Sequence, residues 1–425
     1  MTTTSPVAEE LREARARTLE LVADLTDEEL RVPRLDIVNP FLWELGHIAW
    51  FQEKWLLRRV AGAPSIRADA DRLWDSIAVG HDTRWNLLLP ARAEVLDYMR
   101  GVLLRVTEKL EREGAEGDAL DFSRLVLFHE DMHAEAFTYM RQTLGLPAPR
   151  MFAGARSASE SIAGGGPLPG DVEVEGGTYS LGARPGGEFV FDNEMWAHPV
   201  EVATFRIARA PVTAGEFLAF VEEGGYSRRD LWSEEGWRWR EETGARHPVY
   251  WRRERHGVWL CREFDRWIPI AQDLPAVHVS WFEADAWCRW ADRRLPTEAE
   301  WELAAGGFEK RPFPWGEGVP SSDLANLDWG AGGILEVGAL PAGDSPCGCR
   351  QMMGNVWGWV ADDFGPFPGF APGPYAEYSE PWFGTRKVLR GGSWATRSRL
   401  LRNTWRNFFT PDRRDLFAGF RTCAR

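Results

Sequence analysis

The chain has 425 residues, enough for two or three domains at the usual ~100–200 residues each. With 44% hydrophobic and 27% charged residues, its composition is that of a folded globular protein rather than a disordered one. A net charge of −14 argues against a nucleic-acid partner, because phosphate binding needs clustered Lys and Arg.

The N-terminal segment carries charges where a signal peptide needs an apolar stretch, and no run approaches the ~20 apolar residues of a membrane span. The five cysteines are scattered and odd in number, which gives no disulfide framework. A cytoplasmic protein with no membrane partner is expected. Leu11, Ala14, Thr18, Leu21, Val22 and Leu25 recur at helical spacing and predict a helix over residues 7–30. Asn39-Pro40 opens a second, with Pro40 in its first turn, running through Trp43, His47, Trp50 and Trp55. A third is expected over 91–113 and a fourth over 119–144, stopping before Gly145 and Pro147. Four such helices make an up-down bundle, so residues 1–150 form a helical domain.

Residues 151–170, rich in Gly, Ala, Ser and Pro, read as a linker. From 171 to 425, short strand-like runs such as 172–174 and 189–191 alternate with turns. The helical candidates there are 213–222, 281–290 and 297–305, the last opened by a capping box of Thr297 and Glu300. The fold class is α+β, with the helical domain first.

His129-Glu-Asp-Met-His133 places two imidazoles one helical turn apart on one face, the spacing that chelates a single ion. His47 lies on another helix, and a bundle core can bring it to the same point. Three neutral imidazoles suit zinc, copper or iron and leave coordination positions open. The same segment matches the zinc-peptidase pattern, with Glu130 as its base. Against that reading, no third-ligand signature follows, and the second domain would have no role. Cys347-Gly-Cys349 lacks a second pair to complete a zinc set and reads as structural. Twenty-three tryptophans supply core, and also suit a pocket that handles a cation.

Four ordered motifs carry a resemblance. Arg294-Leu-Pro-Thr-Glu-Ala-Glu-Trp301, Gly354-Asn-Val-Trp-Gly-Trp359, Val388-Leu-Arg-Gly-Gly-Ser-Trp394 and Gly419-Phe-Arg-Thr-Cys423 resemble the formylglycine-generating-enzyme fold, a C-type-lectin-like module. Joined to a DinB-like four-helix bundle bearing His47, His129 and His133, nearly the whole chain resembles the ergothioneine-type sulfoxide synthases. The resemblance implies Fe(II) on the three histidines, O2 as co-substrate, and a sulfur donor joined to the imidazole of hercynine (Nα-trimethylhistidine). Asn407, Phe408 and Phe409 match the family's hercynine-binding residues, with Trp405 beside them: an amide for the carboxylate and aromatic faces for the quaternary ammonium. His81 and Arg84 fall in the loop that serves the chalcogen donor in that family. The plainer readings are core packing for Phe408 or Phe409 and a loop ion pair for Arg84.

Two departures bear on the donor. Phe364 and Phe367 stand where the family has a catalytic tyrosine, so Phe364 leaves the catalytic position without an ionisable hydroxyl. Met132 stands where a Gln is frequent. The segments 39–47, 50–55 and 75–85 resemble the selenoneine-synthase branch, which implies a selenosugar donor. The expected activity is Fe(II)- and O2-dependent C–Se bond formation, whose selenoxide then loses its sugar to give selenoneine. The alternatives are C–S bond formation with cysteine or γ-glutamylcysteine, a non-catalytic binding module, since both folds have binding members, and a zinc peptidase.

Overall fold

A computed structural model describes residues 5–152, 165–186 and 189–425. The chain divides into two compact units, Met1–Ala153 and Gly154–Arg425. The linker expected over 151–170 falls largely on residues 153–164, outside those described.

The first unit is a bundle of four long helices: α1 (Pro6–Glu20), α2 (Phe41–Gln52), then, after the short α3 (Ala70–Trp74), α4 (Arg92–Glu113) and α5 (Asp118–Leu144). Helix α1 packs on α4 and α5, and α2 packs on the same two. Helix α4 turns Val95, Met99, Val102, Val106 and Leu110 inward at helical spacing. All twelve residues of α2 are buried, which makes it the central element. Helix α5 starts with Asp118 and Asp121 in its first turn and stops at Gly145, whose φ of +67° closes the C-terminus.

Two elements differ from the sequence reading. The first helix ends at Glu20 rather than near 30, because Arg141 takes the Leu21 carbonyl (2.7 Å) and pairs with Asp24. Thr26 and Glu29 then cap each other's backbone N–H groups and start a separate turn. The apolar pattern persists because Leu21, Val22, Leu25 and Leu30 stay buried in these turns. Beyond Gln52 the second helix continues as a π-helical stretch, Glu53–Val60. There the buried Glu53 accepts hydrogen bonds from the Ile66 N–H and the Tyr98 hydroxyl.

The second unit is built on two four-stranded sheets. One runs Asp171–Val174, Phe205–Ala208, Cys423–Ala424, Arg293–Arg294, all antiparallel. The other runs Asn407–Phe409, Lys387–Arg390, Trp357–Asp363, Ala418–Phe420, with the last pair parallel. Helices Ala214–Glu222, Trp281–Trp290 and Glu298–Gly306 each open with a capping box, at Thr213, Ser280 and Thr297. Residues 189–191 are not a strand: Phe191 leads into a 3-10 turn, where the Glu194 side chain holds the Phe191 N–H. Buried charges brace the second sheet. Arg390 contacts Glu298 and Glu302, and Arg406 binds Glu298 at 2.7 Å together with the Asn193 and Gly365 carbonyls. That anchor fixes the start of the strand carrying Asn407.

Candidate metal centre

His47 comes from the middle of α2, and His129 and His133 from consecutive turns of α5. Their Nε2 atoms converge: His129 Nε2 lies 3.2 Å from both the His47 and the His133 Nε2. The Nδ1 atoms of His47 and His133 each face an oxygen. His47 Nδ1 donates to the Trp74 carbonyl at 2.8 Å, and His133 Nδ1 sits 2.6 Å from Glu44 Oε2 in a close ion-pair contact not aligned as a hydrogen bond. The Trp74 carbonyl can only accept, so His47 carries hydrogen on Nδ1 and presents a lone pair at Nε2. His129 stacks flat on Phe51 with ring centres 3.7 Å apart, and its buried Nδ1 has no hydrogen-bond partner among the described residues.

Burial first, then the nearby His133, pushes the His47 imidazolium down to about 3, against the pull of Glu44. Burial and the other two histidines hold His129 well below the ordinary range. Burial alone would raise Glu44, but His133, His47 and Arg84 outweigh it and hold the carboxyl at about 2. Three imidazole Nε2 atoms from two helices thus meet within 3.2 Å contacts at one buried point, each able to offer a lone pair to the same ion. The donor set therefore fits a divalent transition metal. Among the described residues, these three are the His/Cys/Asp/Glu group close enough to hold one ion.

The peptidase reading does not survive the geometry. Glu130 is fully buried, with its carboxylate held by Arg15 at 2.7 Å and by Gln52 at 2.6 Å. A general base must reach its proton, and this carboxylate is committed to structure. His81 is likewise occupied, its Nε2 2.8 Å from the Val38 carbonyl, in a 3-10 turn spanning His81–Asn86. In the same turn, Arg84 bonds Asn39 at 2.7 Å and lies over the Trp43 ring at 3.9 Å, so its partners are not those of a loop ion pair.

In the second unit, Asn407, Phe408 and Phe409 share one short strand. Asn407 Oδ1 accepts the Phe408 N–H, which leaves its Nδ2 without a protein partner among the described residues. Phe408 stacks on Phe364 (3.9 Å), and Tyr378 meets it edge-on. Phe409 lies under the Arg413 guanidinium, a cation already on an aromatic face. Phe364 is fully buried in the core, with Arg406 over its ring, and Phe367 packs beneath the same guanidinium. Trp405 is buried against Trp357. Cys347 and Cys349 have their sulfurs 3.6 Å apart at the edge of the core.

Two family models divide the chain: DinB superfamily over residues 10–137 and Sulfatase-modifying factor enzyme 1-like domain over residues 159–425. A hercynine oxygenase of Mycolicibacterium thermoresistibile is 38% identical, covering 98% of this chain and 94% of that one. Another, from Mycobacterium tuberculosis, is 40% identical with 99% of both chains covered. The chain belongs to the hercynine oxygenase family.

As a member of the hercynine oxygenases it is an enzyme, an oxidoreductase. A formylglycine-generating enzyme of Streptomyces coelicolor is also similar, 29% identical over 60% of this chain and 88% of that one. No described helix is long and apolar enough to cross a membrane. Sequence reasoning found the three histidines of this hercynine oxygenase homologue but missed Glu44, Asn39 and Trp74. Glu44 had a signal: it is an acid within an otherwise apolar run, three residues before His47 and hence on the same helix face.

Proposed function

We propose that the protein is an Fe(II)- and O2-dependent enzyme that joins a chalcogen donor to the imidazole of hercynine. The convergence of three imidazole Nε2 atoms, in a chain aligned end to end with hercynine oxygenases, carries this reading. His47, His129 and His133 would hold the iron, which supplies O2 activation when bound. Asn407 offers its Nδ2 to the hercynine carboxylate, and Phe408 and Phe409, with Trp405 behind them, offer apolar faces to the ammonium. Electrons balance if O2 accepts four: a C–Se or C–S bond forms, one oxygen goes to the chalcogen and the other leaves as water.

The finer reading takes a selenosugar as donor and yields selenoneine. It is favoured by phenylalanine at 364 and 367, which offers no hydroxyl to deliver a proton during oxidation of a thiol. The alternative donors are cysteine and γ-glutamylcysteine. Five free cysteines agree with a reducing, cytoplasmic setting. The test is O2 uptake by iron-loaded protein with hercynine and a donor, with the product identified by mass spectrometry. Hercynine-dependent uptake and a C2-substituted imidazole are expected. No hercynine-dependent product with any chalcogen donor would overturn the reading.

A further inference from the structure

The sequence motif around His47 does more than deliver one ligand. Asn39, Trp43 and Glu44 all precede His47 on or just before α2, and each touches the centre or what holds it. Glu44 is buried to within 3% of its side chain, where a carboxylate is costly unless paired. Its Oε2 meets His133 Nδ1 and its Oε1 accepts from Asn39 Nδ2 at 2.5 Å. The same Asn39 amide accepts Arg84 Nη1 on Oδ1 at 2.7 Å. Both ends of the amide are thus specified, because a flipped amide would set NH2 against guanidinium and oxygen against carboxylate. A second route leaves Arg84 through its aromatic contact. The guanidinium lies 3.9 Å from the Trp43 ring centre, and Trp43 stacks on the His47 imidazole at 4.9 Å and 10°. Trp43 cannot drift, since its Nε1 donates to the Leu73 carbonyl at 2.7 Å.

We propose that Glu44 and Arg84 are positioning residues of the metal centre, with Glu44 orienting His133 and Arg84 holding both Glu44, through Asn39, and His47, through Trp43. This rests on the reading of the histidine triad as a metal site. It assigns Arg84 to the support of two ligands rather than to contact with the donor substrate. Carboxylates that hold a ligating imidazole by its distal nitrogen fix its tautomer and orientation and raise its basicity. His129 stands outside this network among the described residues: its ring stacks flat on Phe51.

The two roles for Arg84 part in an equilibrium measurement that needs no turnover. Full-length apo-protein is titrated with Co(II), following the visible d–d bands, for the wild type, Glu44→Gln, Glu44→Asp and Arg84→Met. The supporting role predicts that Glu44→Gln and Arg84→Met weaken Co(II) binding by about 10–100-fold and shift the d–d bands. Glu44→Asp, which keeps the charge, should recover part of the loss. Arg84→Lys replaces Arg84→Met if the latter does not fold, since it keeps the charge but cannot present the fork to Asn39. Unchanged Co(II) affinity and spectrum in the Arg84 variant, with a raised KM for the donor, would overturn the proposal and place Arg84 in the substrate pocket. Failure of the wild type itself to bind Co(II) would instead overturn the triad as a metal centre.

Discussion

Histidine nitrogens and cysteine sulfurs in this chain are tuned by what surrounds them, and the consequences can be measured one residue at a time. At the triad, removing either α5 imidazole leaves two donors, too few to hold a labile divalent ion. His129→Ala or His133→Ala should abolish the binding of about one Fe(II) per chain while the helical circular dichroism stays intact; metal analysis after gel filtration reads this directly. Cys347 is the second case. The hydrogen bond with Cys349, the largest influence, and another with Ser345 outweigh burial and bring its thiol down to about 6. Burial pushes Cys261 and Cys423 up to about 12, and Cys288 and Cys349 are raised as well. The thiolate is the nucleophile, so its fraction at Cys347 grows as pH rises through 6 and is nearly complete by 7.5. Alkylation by iodoacetamide should therefore label Cys347 before the other four thiols, at a rate that climbs from pH 5 to 7 and flattens above. Peptide mapping that finds another cysteine labelled first, or a rate still rising tenfold per unit at pH 8–9, would show the hydrogen bonds do not hold the thiolate.

Many elements were legible in the sequence where a period or a cap had a local cause, although the helix Glu234–Thr243, capped by Ser233 and Gly244, went unread. The helices at 92–113, 118–144, 214–222, 281–290 and 298–306 follow from apolar spacing closed by Gly145 or opened by Thr213, Ser280 and Thr297. The misread ends had non-local causes. Arg141, 120 residues away, takes the carbonyl that ends α1, and no reading of residues 7–30 could contain that fact. The π-helical turn after Gln52 depends on Glu53 finding Tyr98 and Ile66. Close contact between elements also explains Gly46, next to the ligand His47. A Cβ there would lie 2.1 Å from the Trp74 indole, a ring fully buried and stacked on Tyr98 at 4.9 Å. Gly46→Ala should cost about 1–3 kcal/mol, as overpacking in a tight core does. It should also weaken metal binding, because displaced Trp74 carries the carbonyl that holds His47 Nδ1. A variant with wild-type melting temperature and wild-type metal affinity would mean that the helix pair yields without strain.

Across the whole molecule the proposed roles divide by unit: every candidate metal ligand lies in the first, and every residue proposed for hercynine lies in the second. The sequence exposed this division because histidine spacing and ordered motifs survive without a structure, whereas the supports (Glu44, Asn39, Trp74) show themselves only through packing. Asn407→Ala should raise the KM for hercynine and leave apo-protein metal affinity unchanged; a loss of metal affinity would contradict the division. On the proposed reading, the choice of donor turns on the hydroxyl that Phe364 lacks. Its ring is fully buried and stacked on Phe408, so the position offers shape and no proton. A thiol donor needs a proton delivered as it is oxidised, while a selenol is ionised at neutral pH and gives up electrons more readily. The wild type should therefore turn over a selenosugar faster than γ-glutamylcysteine when both compete for hercynine, read as the ratio of products by mass spectrometry. Phe364→Tyr places a hydroxyl of ordinary pKa ~10 beside Phe408 and should move that ratio toward the sulfur product. It should also lose about 1–3 kcal/mol of stability if the buried hydroxyl finds no partner. Equal rates with the two donors in the wild type would remove the reason for a selenium substrate and leave the sulfoxide synthase as the better description.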